Sequence, residues 1–421
     1  MGRLTHTARI VGTGLTALGK RAGSRPGATA SELMQEALQG ALGQASLRLR
    51  DLDGLIAVPS LSHPHFLEAH HFATKIGLLP KGDFVARTLD TGGAGPITAL
   101  LEAQRMIASE NCQAVAIVAG DAVGSMDSAS FLAAADAGCR PEHLTSPADP
   151  QFLPSPVIPH GYSRCTEHHR ATHGTTREQL AMVSVLMSRQ ASRHPDALTR
   201  RPHTLEEVLA APPIAPSVGL LECARRADGG AAIIVASSRF LERRGLSRRG
   251  NGGSGDVVIL GGGEASGPLY PPAVIDEEMF SCEQACANAF TACQLEPADI
   301  DWFGLYDCFP ICFIRAVEAV GLAPRGRGGD WVEARFRETT ADPRYDPAVL
   351  PVNTHGGLLA FGAPWEVPAM FNVIEAVRQL RWIAGPQRQV KGARRALVYG
   401  NGGIFSASAV ALLARAVDEP V

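Results

Sequence analysis

The feature that most limits the fold is a helix-to-strand pattern that occurs twice. In the first half an apolar helical stretch, 97–109, leads into the strand-like run 113–120; in the second, the stretch 367–380 leads into 395–403. Upstream, 52–58 corresponds in the same way to 300–306. The correspondence is one of pattern and spacing rather than of identity. Short apolar runs closed by Gly or Asp and alternating with helices predict an α/β architecture with mostly parallel central strands. The repetition predicts two similar halves. A Gly-rich segment, 248–255, marks the boundary, giving an N-terminal half over 1–250 and a C-terminal half over 256–421. Within the first half, about 123–215 is rich in Pro, His and Ser and too long for a simple connection. It carries one clear helix, 177–194, and reads as a cap or substrate-loop region.

Composition removes several function classes. The formal net charge of −3 over 421 residues provides no basic field to neutralise phosphates, so nucleic acid is not an expected partner. The longest apolar runs, such as 114–119 and 231–236, fall far short of the roughly 20 residues of a membrane span. The N-terminal residues run directly into a strand-like segment without the apolar core of a signal peptide. Nine cysteines without a secreted-domain spacing fit a reducing compartment, and a cytoplasmic location is expected. Cys282/Cys286 and Cys308/Cys312 sit at i, i+4, but no histidine lies near either pair, so free cysteines rather than a zinc site are expected. His63, His65, His70 and His71, and His168, His169 and His173, have the residue types of metal ligands. His70 and His71 point in different directions on a helix, and no metal is expected at either group.

Four segments, taken in order, carry a resemblance. They are Asp90-Thr91-Gly92-Gly93-Ala94-Gly95-Pro96, Ala227-Asp228-Gly229-Gly230-Ala231-Ala232, Tyr306-Asp307-Cys308-Phe309, and Pro351-Val352-Asn353-Thr354-His355-Gly356-Gly357 followed by Phe361-Gly362-Ala363-Pro364. With the cap helix beginning Thr175-Thr176-Arg177-Glu178, they make the chain resemble the thiolase superfamily, in particular its sterol-carrier-type thiolases and thiolase-like lipid-transfer proteins. The resemblance implies a thiolase fold, two duplicated halves in a five-layer αβαβα sandwich with a cap insertion. It also implies an acyl-CoA or carrier-linked thioester substrate, CoA being part of the substrate with no permanently bound cofactor. A homodimer formed through the first half, and a separate zinc-ribbon/OB-fold partner protein, follow from the same likeness.

Against that family the chemistry is altered. A thiolase needs a thiolate at a helix N-terminus, where N–H groups and the macrodipole stabilise it; that position matches Gly93. Gly92 and Gly93 offer only backbone donors, as an oxyanion cradle or simply as a tight turn. The Gly-His-Pro histidine is replaced by Ala363, and the loop 399–403 carries no thiol, so covalent acyl transfer by the family mechanism is not expected. The polar residues left are Tyr306, Asp307, Asn353, His355 and Asn401, with backbone groups at Gly356, Gly357 and Gly402. Tyr306 falls where thiolases carry the Asn of their Asn-Glu-Ala-Phe motif, and thiolase-like aldolases use a tyrosine there in retro-aldol cleavage of β-hydroxyacyl-CoA. The second tyrosine of those aldolases is absent, since Phe361, Gly362 and Ala363 stand in that region. His355 is the candidate substitute base, or else a loop histidine bonded to backbone. Asp307 either orients one of these groups or caps a helix. Cys308 is either a relocated nucleophile or a structural thiol among Phe309, Pro310 and Phe313. The expected function is C–C cleavage or formation with Tyr306 and His355 as acid and base. The alternatives are acyl transfer or Claisen-type condensation, through Cys308 or with no covalent intermediate, and a non-catalytic scaffold working with the partner protein.

Overall fold

The computed structural model describes residues 7–19, 27–246 and 256–416. The Gly-rich boundary segment 248–255 lies outside them. Nine strands form the principal sheet: β1 Ala8–Leu15, β2 Gly54–Ala57, β3 Val85–Thr88, β4 Ala114–Asp121, β5 Gly229–Ser237, β6 Val257–Ser266, β7 Trp302–Gly304, β8 Arg395–Gly402 and β9 Ala407–Arg415. Their order across the sheet is β3-β2-β4-β5-β1-β6-β9-β8-β7. Read inward from its two edges, β2-β4-β5-β1 repeats as β7-β8-β9-β6. The pairings repeat too: β2 with β4 and β7 with β8 are parallel, while β4 with β5 and β8 with β9 are antiparallel. The segments matched by sequence therefore occupy equivalent places. The halves meet where β1 pairs with β6 through Arg9↔Val258 and Ile10↔Val257.

The expectation of mostly parallel strands is corrected: only β2–β3, β2–β4 and β7–β8 run parallel, and the sheet is mixed. The loop 403–406 between β8 and β9 is far shorter than the dozen or so residues a parallel crossover requires, so those strands must form a hairpin. Helices complete the layers. α1 (Ala30–Ala45) opens on a Thr29/Glu32 capping box and covers β1, β4 and β5 on one outer face. α2 (Gly95–Ala108) packs between the half-sheets.

The insertion holds four helices where the sequence suggested one: α3 Ser128–Cys139, α4 Val157–His173, α5 Arg177–Ser192 and α6 Leu205–Leu209. α4 hides from a periodicity reading because the face it buries is largely polar, with Ser163, Thr166 and His169 beside Tyr162 and Cys165. Beyond the insertion, α7 (Ser281–Cys293) covers β6 and β9 on the other outer face, α8 (Pro310–Ala319) follows β7, and α9 (Pro368–Leu380) joins α2 in the middle. α2 and α9 each touch strands of both half-sheets, so the order is helix, sheet, helix, sheet, helix.

Candidate functional site

The conserved logic of α/β sheets places ligands beyond the carboxyl ends of parallel strands, and the sequence-selected residues gather there. Tyr306 follows the end of β7, Asn401 lies near the end of β8, and Gly92 and Gly93 lead into α2. Gly92 has φ 59°, a left-handed turn that glycine adopts without strain, and a Cβ there would come 3.0 Å from the Gly402 Cα. At Gly93 a Cβ would lie 2.0 Å from the Tyr306 hydroxyl oxygen, 2.4 Å from its Cζ and 2.5 Å from the Asn401 carbonyl oxygen. The phenol thus fills the volume that a side chain at position 93 would need. Burial, reinforced by Cys308, Glu366, Cys312 and Asp307, pushes the Tyr306 hydroxyl well above the ordinary tyrosine range. It is a proton donor at neutral pH, and 6% of the residue remains exposed.

A second phenol stands behind it. Tyr162 of α4 donates to the Gly403 carbonyl at 2.5 Å and accepts from Asn401 Nδ2 at 2.8 Å, with its ring stacked on Phe309 at 4.6 Å. That contact leaves the buried Asn401 Oδ1 without a partner. Cys308 Sγ lies 3.4 Å from Cys312 Sγ, and burial raises the Cys312 thiol well above its usual value. All nine cysteines are free.

Asn353 and Asp307 are fully used by the backbone. Asn353 Oδ1 accepts from Leu305 N at 2.7 Å and its Nδ2 donates to Leu305 O at 2.8 Å, clamping the chain just before Tyr306. Asp307 accepts from Leu358 N at 2.7 Å and Leu359 N at 3.4 Å, so it holds the π-helical turn Gly357–Phe361 instead of capping the helix that follows it. Burial outweighs those two N–H groups and lifts the Asp307 carboxyl to about 7. Gly357 is required by this nest, because a Cβ there would meet Asp307 Oδ2 at 2.1 Å. Gly356 packs on α5, where its Cβ would reach Ala191 at 2.5 Å.

His355 sits in a different neighbourhood. It is 2% exposed, its ring meets Phe361 edge-on at 5.2 Å, and its Nδ1 has no hydrogen-bond partner. Burial, then the charges of Arg388 and Arg378, depress its pKa to about 3. His194, whose ring also meets Phe361 edge-on at 4.9 Å, is depressed to about 2 by burial, then by Arg388, His355, Arg378 and Arg200. Among the described residues no hydrogen bond or ring contact joins His355 to Tyr306.

The residue that sequence reasoning missed is Glu366. Its Oε2 is sealed from solvent with no hydrogen-bond partner, and it is an electrostatic neighbour of Tyr306. Burial, aided by Asp90 and Asp121, raises its carboxyl to about 8. A signal existed: Glu366 is the one charged residue between His355 and Glu375. Several histidines elsewhere have partners. His65 stacks on His71 at 3.6 Å, His168 and His173 bond Glu277, and His169 bridges Thr175 and Glu318. Among the described residues no group of three or more His, Cys, Asp or Glu is arranged to hold a metal ion, and no helix is long and apolar enough to cross a membrane.

Comparison with known proteins bears on what this site belongs to. Residues 275–415 match the family model of the thiolase C-terminal domain-like family. The acetyl-CoA acetyltransferase of Methanothermobacter thermautotrophicus is 33% identical over 263 residues, 62% of this chain and 64% of that one. Sterol carrier protein 2 of Bos taurus is 29% identical over 260 residues, 62% of this chain and 46% of that one. The chain thus spans about half to two thirds of the length of these relatives. Solved structures superpose on at least 98% of the chain with TM-scores from 0.69 to 0.74. One is the Ltp2-ChsH2(DUF35) aldolase, with TM-score 0.74 and 24% identity over 98% of both chains.

Proposed function

Because the chain belongs to the thiolase superfamily, in its sterol-carrier-type group, we propose that it acts on an acyl-CoA or carrier-bound thioester and makes or breaks the C–C bond beside the thioester carbonyl by aldol chemistry. The observation that carries this reading is the Tyr306 hydroxyl in the space that a side chain on Gly93 would fill. A nucleophile cannot coexist with the phenol there, and a protonated phenol suits a substrate oxygen that gains or loses a proton. Backbone groups of Gly92, Gly93, Gly356, Gly357 and Gly402, with the Asn401 amide, supply polar atoms around the thioester. CoA enters as part of the substrate. By analogy with the aldolase named for two components, a zinc-ribbon/OB-fold partner protein is part of the proposal, as is a homodimer.

The experiment offers β-hydroxyacyl-CoA to the purified chain, alone and with a candidate partner, and looks for a carbonyl product together with a shortened acyl-CoA. Tyr306→Phe is expected to lose about 100-fold or more in turnover while keeping the wild-type unfolding temperature. Undiminished turnover in that variant sinks the reading. So does an acyl adduct on Cys308 after incubation with acyl-CoA, which would favour covalent transfer.

A further inference from the structure

The geometry points to Glu366 as the second acid–base group of this site, the partner of Tyr306 that exchanges a proton with the carbon next to the thioester carbonyl. The inference rests on the reading of Tyr306 above and adds a residue that none of the family-like motifs contains.

Buried polar atoms in proteins are nearly always paired, so an orphan carboxylate oxygen needs an explanation. Two neighbouring carboxylates are fully paired. Asp307 is occupied by Leu358 N and Leu359 N, and Asp121 by the N–H groups of Leu61, Ser62 and Ala122. Glu366 Oε2 has no hydrogen-bond partner. Its placement is also enforced. Trp365 immediately before it has φ 48°, in the left-handed region that a bulky residue adopts at a cost of about 1–3 kcal/mol only where packing imposes it. Here the Trp365 ring meets Phe131 of α3 edge-on at 5.8 Å, and the Arg226 guanidinium covers Phe131 at 4.6 Å. The titratable groups within electrostatic reach of Glu366 are Tyr306 after β7, Asp90 before α2, Asp121 at the end of β4 and Cys139 at the end of α3, and the Trp365 side chain hydrogen-bonds its carboxyl, which works against the rise. The two acidic neighbours add to burial in holding its proton up to about pH 8, close to where a general base is both ionised and strong.

The chemistry balances with these two residues alone. In the bond-forming direction the Glu366 carboxylate removes a proton from the α-carbon, and the C–H electron pair becomes the enolate. The enolate carbon attacks an aldehyde or ketone carbonyl, forming the C–C bond. The carbonyl electron pair moves to oxygen, which takes the Tyr306 proton and becomes the β-hydroxyl. Protonated Glu366 then returns its proton to the Tyr306 phenolate. Cleavage runs through the same atoms in reverse. Both directions start from ionised Glu366 beside protonated Tyr306, so rates fall about tenfold per pH unit below about pH 8.

The test is exchange of the α-hydrogens of acetyl-CoA with D2O, followed by mass spectrometry, in parallel with the cleavage assay. Glu366→Gln is expected to exchange about 100-fold more slowly than wild type and to lose the pH limb near 8. Glu366→Ala is expected to recover exchange when formate is added, an effect that a folding defect would not produce. Exchange by Glu366→Gln at the wild-type rate overturns the proposal even if wild type cleaves, and then the Tyr306 reading survives. Exchange that depends on Glu366 without any C–C cleavage supports the proposal and sinks the aldol reading. A wild-type protein that neither exchanges nor cleaves overturns both.

Discussion

Replacing Gly93 by alanine adds a single methyl group at the most crowded point of the site. Its carbon would lie 2.0 Å from the Tyr306 hydroxyl oxygen, 2.4 Å from Cζ and 2.5 Å from the Asn401 carbonyl oxygen. Ordinary contact between such atoms begins near 3.5 Å, so the phenol must retreat by about 1.5 Å. The ring is buried, and the Asn401 carbonyl belongs to β8 and cannot rotate away. Overpacking of this kind costs about 1–3 kcal/mol, and the rigid second contact places Gly93→Ala toward the upper end, about 2–3 kcal/mol by urea unfolding. Tyr306→Ala removes two of the three short contacts and leaves the one to Asn401. In the double variant the two changes are therefore non-additive by about 1–2 kcal/mol, the methyl group costing less once the phenol is gone. Gly93→Cys follows the same logic and gains no thiolysis, because its sulfur and the phenol compete for one volume. A Gly93→Ala protein as stable as wild type within about 0.5 kcal/mol, or strict additivity in the double variant, would refute the steric argument.

Two further predictions concern stability against pH. His355 has a folded pKa of about 3 against an ordinary 6.5, so the unfolded chain takes up a proton there first and the native state loses stability as pH falls below 6.5. At about 1.4 kcal/mol per pH unit, wild type should lose about 2 kcal/mol more than His355→Asn between pH 7.5 and pH 5, and a constant gap between the two denaturation curves would contradict this. Asp307 has the opposite sign, since its folded pKa of about 7 exceeds the ordinary 3.8 and its contribution is lost as pH rises between those values. Asp307→Ala, which strands the Leu358 and Leu359 N–H groups, should therefore be more damaging at pH 5 than at pH 8 by about 2.5–3 kcal/mol in urea unfolding; equal damage at both would count against the buried neutral carboxyl.

The duplication was legible in the sequence because equivalent strands in the two halves sit between the same layers and so repeat the same apolar pattern. The segments 52–58 and 300–306 contain β2 and β7, and both run parallel to their neighbours β4 and β8. The strand directions were less legible, because β5 and β9 read as apolar runs whichever way they lie; only the length of the 403–406 loop separates the alternatives. Tyr306 stood out through its motif, with Gly93, Asp307, Cys308 and Asn401 around it, but Tyr162 did not. Tyr162 reaches Gly403 and Asn401 across about 240 residues from a helix with no apolar stripe. His355 looked like a base because imidazole titrates near neutrality, and what removes that property is burial against Phe361 and the positive charge of Arg388 and Arg378, the two arginines lying more than 20 residues away in the chain. Glu366 was the opposite case, missed although it stands as a solitary charge in an apolar stretch.

The changes that set this site apart from a thiolase are linked by space. With Tyr306 where it is, a side chain at position 93 overlaps the phenol, and a side chain at position 93 forces the phenol out of its place. Glycine at 93 and tyrosine at 306 are therefore one exchange of volume between two elements, α2 and β7, rather than two independent losses. The exchange also alters what the site can do with a proton. A thiolate held at a helix N-terminus attacks carbon, whereas a buried phenol held well above its usual pKa keeps its proton and offers it to an oxygen. A donor alone turns over only if another group accepts, and Glu366 offers an unpaired carboxylate oxygen within its electrostatic reach. On the proposed aldol reading, the glycine at position 93 and the orphan carboxylate are explained together: with the phenol in the space a thiol would need, carbon is activated by losing a proton instead of by covalent capture.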